Sequence, residues 1–87
     1  MTNRERVLRY ILECGSITQK EAYDELGNSR LSASIWDLIH KDGYYIDSII
    51  EHGRNRWGEA SHWSRYYLRD SLFEKNLKNK GVIKDGD

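Results

Sequence analysis

Residues 17–43, ITQKEAYDELGNSRLSASIWDLIHKDG, constrain the fold more than any other stretch of the chain. Thr18 is placed to cap a helix, because its hydroxyl can accept the free backbone N–H three residues on. Glu21 can reach back to the Thr18 N–H, which completes a capping box. Ala22, Tyr23 and Leu26 follow at helical spacing, and Gly27 stands where a helix ends in the left-handed conformation. Asn28 and Ser29 read as a turn, with Ser29 as the N-cap of a second helix. There Leu31, Ile35, Leu38 and Ile39 form one apolar stripe, and Gly43 ends it. A short helix, a tight turn and a longer helix make a helix-turn-helix, whose second helix is offered to a DNA major groove.

The flanks extend this unit. Residues 3–13 predict a first helix, capped by Thr2 or Asn3, with Val7, Leu8, Ile11 and Leu12 as its stripe and Gly15 as its stop. Ser16 and Ile17 are placed for one or two residues of edge strand. After Gly43 the apolar period changes from 3.6 to 2. Residues 44–51 predict a strand with Ile46 and Ile50 turned to the core, and Ile49 either partly exposed or covered by the C-terminal segment. Residues 52–61 predict a long polar hairpin loop, and residues 62–68 the returning strand. Three helices followed by a two-stranded hairpin is an α+β winged helix-turn-helix. Asp70 or Ser71 caps a short C-terminal helix that fades by Lys80 and Gly81. The chain divides into a winged domain, 1–69, and a C-terminal helix with a flexible tail, 70–87. The predicted core is Leu8, Ile11, Leu12, Leu26, Leu31, Ile35, Leu38, Ile46 and Leu68.

At 87 residues the chain makes one small domain with little core to spare. No apolar run approaches the roughly 18–20 residues of a membrane helix, and the N-terminus carries no signal-type apolar stretch, so a cytoplasmic protein is expected. Cys14, the single cysteine, excludes an internal disulfide and reads as a small core or boundary residue. Net charge is zero, which is unusual for a phosphate binder, but the charge is unevenly placed. Residues 1–51 hold six basic and nine acidic side chains (6 − 9 = −3), whereas residues 52–69 hold four Arg and one Glu (4 − 1 = +3). The hairpin that follows the helix-turn-helix is the basic segment.

Gly15-Ser16-Ile17-Thr18-Gln19, Glu21-Ala22, Leu26-Gly27, Arg30-Leu31, Ala33, Ile35, Asp37-Leu38, Gly43 and Arg65-Tyr66-Tyr67-Leu68 stand in an order that resembles the small winged helix-turn-helix proteins of bacteriophages and prophages. The resemblance covers about residues 5–68. It implies a DNA-binding or regulatory role in phage biology, inside a bacterial host cell.

Two sets of residues are candidates for double-stranded DNA contact. The first is the outward face of the third helix, Ser29, Ala33, Trp36 and His40, flanked by Arg30, Ser32 and Asp37, with Thr18 and Gln19 at the head of the preceding helix. Small side chains let a helix approach bases, and Arg30 is suited to guanine or to a phosphate. The second is the hairpin tip, Arg54, Asn55, Arg56 and Trp57, where arginines on a loop enter a minor groove or grip phosphates. Arg65 and Arg69 either extend this patch or pair with acidic neighbours. Trp36 and Trp57 also suit a different role, that of a phage inhibitor (an anti-CRISPR or other anti-host protein) that docks on a host protein complex. Leu72, Phe73 and Leu77 predict either docking on the monomer or a homodimer. His40, His52, His62 and Cys14 lack metal-ligand spacing, and no phosphate-binding glycine loop or nucleophile elbow is present, so neither a cofactor nor catalysis is expected.

Overall fold

The computed structural model describes residues 2–82. Helix α1 spans Asn3–Cys14, β1 Ile17–Thr18, α2 Gln19–Leu26, α3 Leu31–His40, β2 Ile46–Arg54, β3 Ala60–Leu68 and α4 Leu72–Asn79. The three strands form one antiparallel sheet in the order β1-β3-β2. The fold is α+β, as expected, with the short edge strand β1 adding a third strand to the hairpin by pairing Ile17 with Tyr66 and Thr18 with Arg65.

Local chemistry fixes the helix ends. Thr2 and Thr18 both make complete capping boxes, with Glu5 and Glu21 as the returning partners. Gly15 and Gly27 close α1 and α2 at positive φ, 92° and 65°, where a side chain would be strained. Beyond Gly27 the Asn28 N–H reaches back to the Ala22 carbonyl at 3.0 Å, so the chain reverses within two residues. Ser29 does not cap α3. Asn28, 5% exposed, does the nearby work: its Oδ1 accepts the Arg30 N–H at 2.8 Å and its Nδ2 donates to Ser34 Oγ at 3.0 Å. The Leu31 N–H is taken by Gln19 Oε1 at 2.9 Å, and Gln19 Nε2 donates to the Asn28 carbonyl at 2.7 Å. One glutamine at the head of α2 thus ties the turn to the head of α3.

The core is Val7, Ile11, Ile17, Ala22, Leu31, Ile35, Leu38 and Ile46, with Leu8, Leu26 and Leu68 packed at its edge. Three expectations fail. Leu12 is 66% exposed, because α1 turns Val7 and Ile11 inward and Leu12 falls beyond that line. Cys14 is exposed too, since the chain leaves the helix at Gly15. Ile50 is 55% exposed although it shares a face with buried Ile46. From Asp47 to Gly53 the half-covered face of the strand is the opposite one, so Ser48, Ile50 and His52 all face outward.

Helix α4 docks on its own chain. Leu77 is buried, and the Phe73 ring packs on Tyr67 at 5.5 Å between centroids and against Gly15. Only Leu72 of the expected apolar edge remains outside, 73% exposed. The tail, 82–87, lies outside the described residues from position 83 onward. No helix among the described residues is long and apolar enough to cross a membrane.

Candidate nucleic-acid interface

The strands run further than their composition suggests. Register pairs Ile46 with Leu68 and continues to Arg54 with Ala60, so the hairpin loop is only residues 55–59. This tip is ordered by Asn55, whose Oδ1 accepts the N–H groups of Trp57 at 3.0 Å and Glu59 at 3.1 Å. Gly58, at φ 77°, lets the chain return, and its carbonyl accepts from Arg54 Nη1 at 2.7 Å. Asn55 therefore builds the tip instead of projecting from it. Arg56 and Trp57 do project: the Arg56 guanidinium lies 5.6 Å from the Trp57 ring centre, and Trp57 is 74% exposed.

Helix α3 presents the face that its periodicity assigns to it. Ser29, Arg30, Ser32, Ala33, Trp36 and His40 are all exposed, and Leu31, Ser34, Ile35 and Leu38 are buried beneath them. Trp36 and His40, one turn apart, stack at 4.5 Å. Asp37 pairs with Lys41 at 3.6 Å, which offsets the one acid on this face. Thr18 and Gln19 take another part. Thr18 is 4% exposed with its hydroxyl in the cap, and the Gln19 amide is engaged in the turn. Both hold the turn and the head of α3 from behind the exposed face.

The arginines sort into two groups. Arg4 pairs with Asp42, Arg9 with Glu13 and Arg69 with Asp47, each within 3.1 Å. Arg65 is the most connected: Nε donates to Glu51 at 2.8 Å, and Nη1 to Glu21 at 3.2 Å and to Ser16 Oγ at 3.0 Å. It joins β3 to β2, to α2 and to the α1–β1 corner, and so belongs to the scaffold. Arg6, Arg30, Arg54 and Arg56 have no carboxylate partner among the described residues. Three of these four lie on the head of α3 and the hairpin tip.

Two carboxyls are held below their ordinary range. Burial pushes Glu51 up, but hydrogen bonds from Arg65 and Trp63 outweigh it. Asp47 is lowered chiefly by the hydrogen bonds from Arg69. Both stay ionised at neutral pH, which keeps Arg65 and Arg69 bound to the protein. Charge counting along the sequence could not separate these arginines from the free ones, because their partners lie 14 to 44 residues away.

Neither a curated protein nor a solved structure matches the chain. A family model described as a winged helix-turn-helix domain matches residues 2–71, from the first cap through both strands to the cap of α4. That span contains the stapled turn, the exposed face of α3 and the basic tip, and the chain belongs to the winged helix-turn-helix domain family.

Proposed function

We propose that the protein binds double-stranded DNA, with α3 in the major groove and the hairpin tip on the adjoining backbone or minor groove, as a regulator of the phage type. The observation that carries this reading is where the arginines without a carboxylate partner lie. Most arginines elsewhere are neutralised within the protein, whereas Arg30, Arg54 and Arg56 are held outward on the two elements that a winged domain turns to DNA. The small side chains Ser29, Ser32 and Ala33 leave room for α3 to approach base edges. Function is binding, with no chemical step.

The two elements should contribute differently. Arg56→Ala should weaken all duplexes by a similar factor, since a phosphate contact carries no sequence information. Arg30→Ala should relax discrimination at one base pair, by about 1–3 kcal/mol if the guanidinium reads guanine. Selection from a random duplex library with both variants tests this. Two identical selection profiles would refute the division of labour.

A second reading has its own support. Trp36, 55% exposed and stacked on His40, stands in the middle of the α3 face, where an indole suits a protein pocket. An inhibitor that docks on a host complex through Trp36 and Trp57 would keep its activity when Arg30 and Arg56 are replaced. A homodimer would rest on Leu12 and Leu72, because Phe73 and Leu77 are covered within the chain.

A further inference from the structure

The hairpin face that carries Glu51 and Gly53 holds a rigid aromatic platform. Glu51 stands opposite Trp63, and Trp63 Nε1 donates to Glu51 Oε1 at 2.7 Å. At its other end the indole leans over Gly53, where a Cβ would lie only 2.6 Å from a ring carbon. Glu51 is held in turn by Arg65. The ring is thus fixed before any ligand arrives, which lowers the ordering cost of stacking on it.

Trp63 remains 37% exposed and lines a cleft of about 710 Å³ between the hairpin and α2. The two walls of this cleft differ in charge. Arg54 and Arg56 stand on the hairpin wall, and Asp24 and Glu25 on the α2 wall. Arg65 is matched by Glu21, and Lys20 by Asp24 at 3.4 Å. Arg54, Arg56 and Glu25 have no oppositely charged partner among the described residues. A wholly basic peptide would meet repulsion at the arginines, and bare phosphate would meet it at Glu25.

A nucleotide satisfies both walls. Its base offers a π-face, its phosphate a negative charge and its base edge N–H donors. Guanine presents two adjacent donors, N1–H and the N2 amino group, which match the two oxygens of one carboxylate. We propose that the cleft takes an unpaired guanine nucleotide, with the base stacked on Trp63, its Watson–Crick edge on Glu25 and its phosphate on Arg54 and Arg56. This rests on the reading of those arginines as phosphate ligands. It shares Arg54 and Arg56 with duplex binding and adds Trp63 and Glu25, which duplex binding does not require.

The probe is a short labelled oligothymidine with one central guanine, followed by fluorescence anisotropy beside a blunt duplex. The guanine strand should bind roughly tenfold tighter than its inosine or all-thymine counterparts. Trp63→Ala should weaken it by about tenfold, and Trp63→Phe should restore most of the affinity by keeping a ring. Glu25→Gln should erase the preference for guanine over inosine without loss of fold, a readout that a purely structural role would not move. Single-strand binding with no guanine preference, or binding that ignores Trp63→Ala in a folded protein, would overturn the proposal. So would an arginine peptide that binds where the oligonucleotide does not, which would assign the cleft to a protein partner. Duplex binding that persists without single-strand binding would refute the pocket alone, whereas loss of duplex binding in the parent would refute the wider reading.

Discussion

Replacing Arg65 by methionine should test whether the sheet is locked to α2 by charge. Methionine keeps an apolar stem but leaves Glu51 and Glu21 facing the same space with no guanidinium between them. Hydrogen bonds to charged groups contribute about 1.5–3 kcal/mol each when shielded. The Glu21 and Glu51 side chains are 35% and 33% exposed, so solvent screening reduces each bond to about 1 kcal/mol. With the Ser16 bond the expected loss is about 2–3 kcal/mol, a large part of the roughly 5 kcal/mol available to a domain of this size. Urea unfolding followed by circular dichroism at neutral pH should show a midpoint lower by about 2–3 M, given a slope near 1 kcal/mol/M. The sign of the pH dependence is fixed by Glu51. Its folded pKa is depressed, so its stabilisation is fully present above the unfolded value of about 4.3 and is lost as pH falls through the folded value. The gap between parent and variant should therefore be widest at neutral pH and should narrow below about pH 4. A variant within about 0.5 kcal/mol of the parent at neutral pH, or a gap that stays constant into acid, would refute the reasoning.

Leu38, 1% exposed, lies at the centre of the core, and Leu38→Ala should cost about 2–5 kcal/mol, visible as a collapsed thermal transition. Gln19→Ala should remove two bonds across the turn and cost about 1–2 kcal/mol, with faster hydrogen exchange at the Leu31 amide in a protein that still folds.

Features whose cause is local were legible in the sequence. Thr18, Glu21 and Gly27 declare the start and stop of α2, and Leu31, Ile35 and Leu38 declare the inner face of α3. Features that depend on distant partners were not. Gln19 bonds an amide twelve residues on, so its part in the turn has no signature of its own. Periodicity placed Ile50 on the same face as Ile46, but beyond Ile46 the half-covered face is the opposite one, that of Ile49, Glu51 and Gly53. Tyr67 is buried because Phe73 of α4 packs on it, and Ile17 because β1 pairs with β3 and sets it in the main core, contacts that neither strand pattern records. The candidate interface was half legible. The residue types at the hairpin tip pointed to it, while the distinction between Arg65 as a strut and Arg56 as a free cation exists only in three dimensions.

The salt dependence of duplex affinity tests the central claim most directly. Three arginines, each neutralising one phosphate at about 0.9 per contact, give a log–log slope near −2.7 for one chain on B-DNA. Fluorescence anisotropy from about 50 to 200 mM salt should return that slope for the parent, and one close to zero for a variant with Arg30, Arg54 and Arg56 all replaced by alanine. A parent that binds no duplex at the lowest salt, or a triple variant that binds with the parent's slope, would contradict the account.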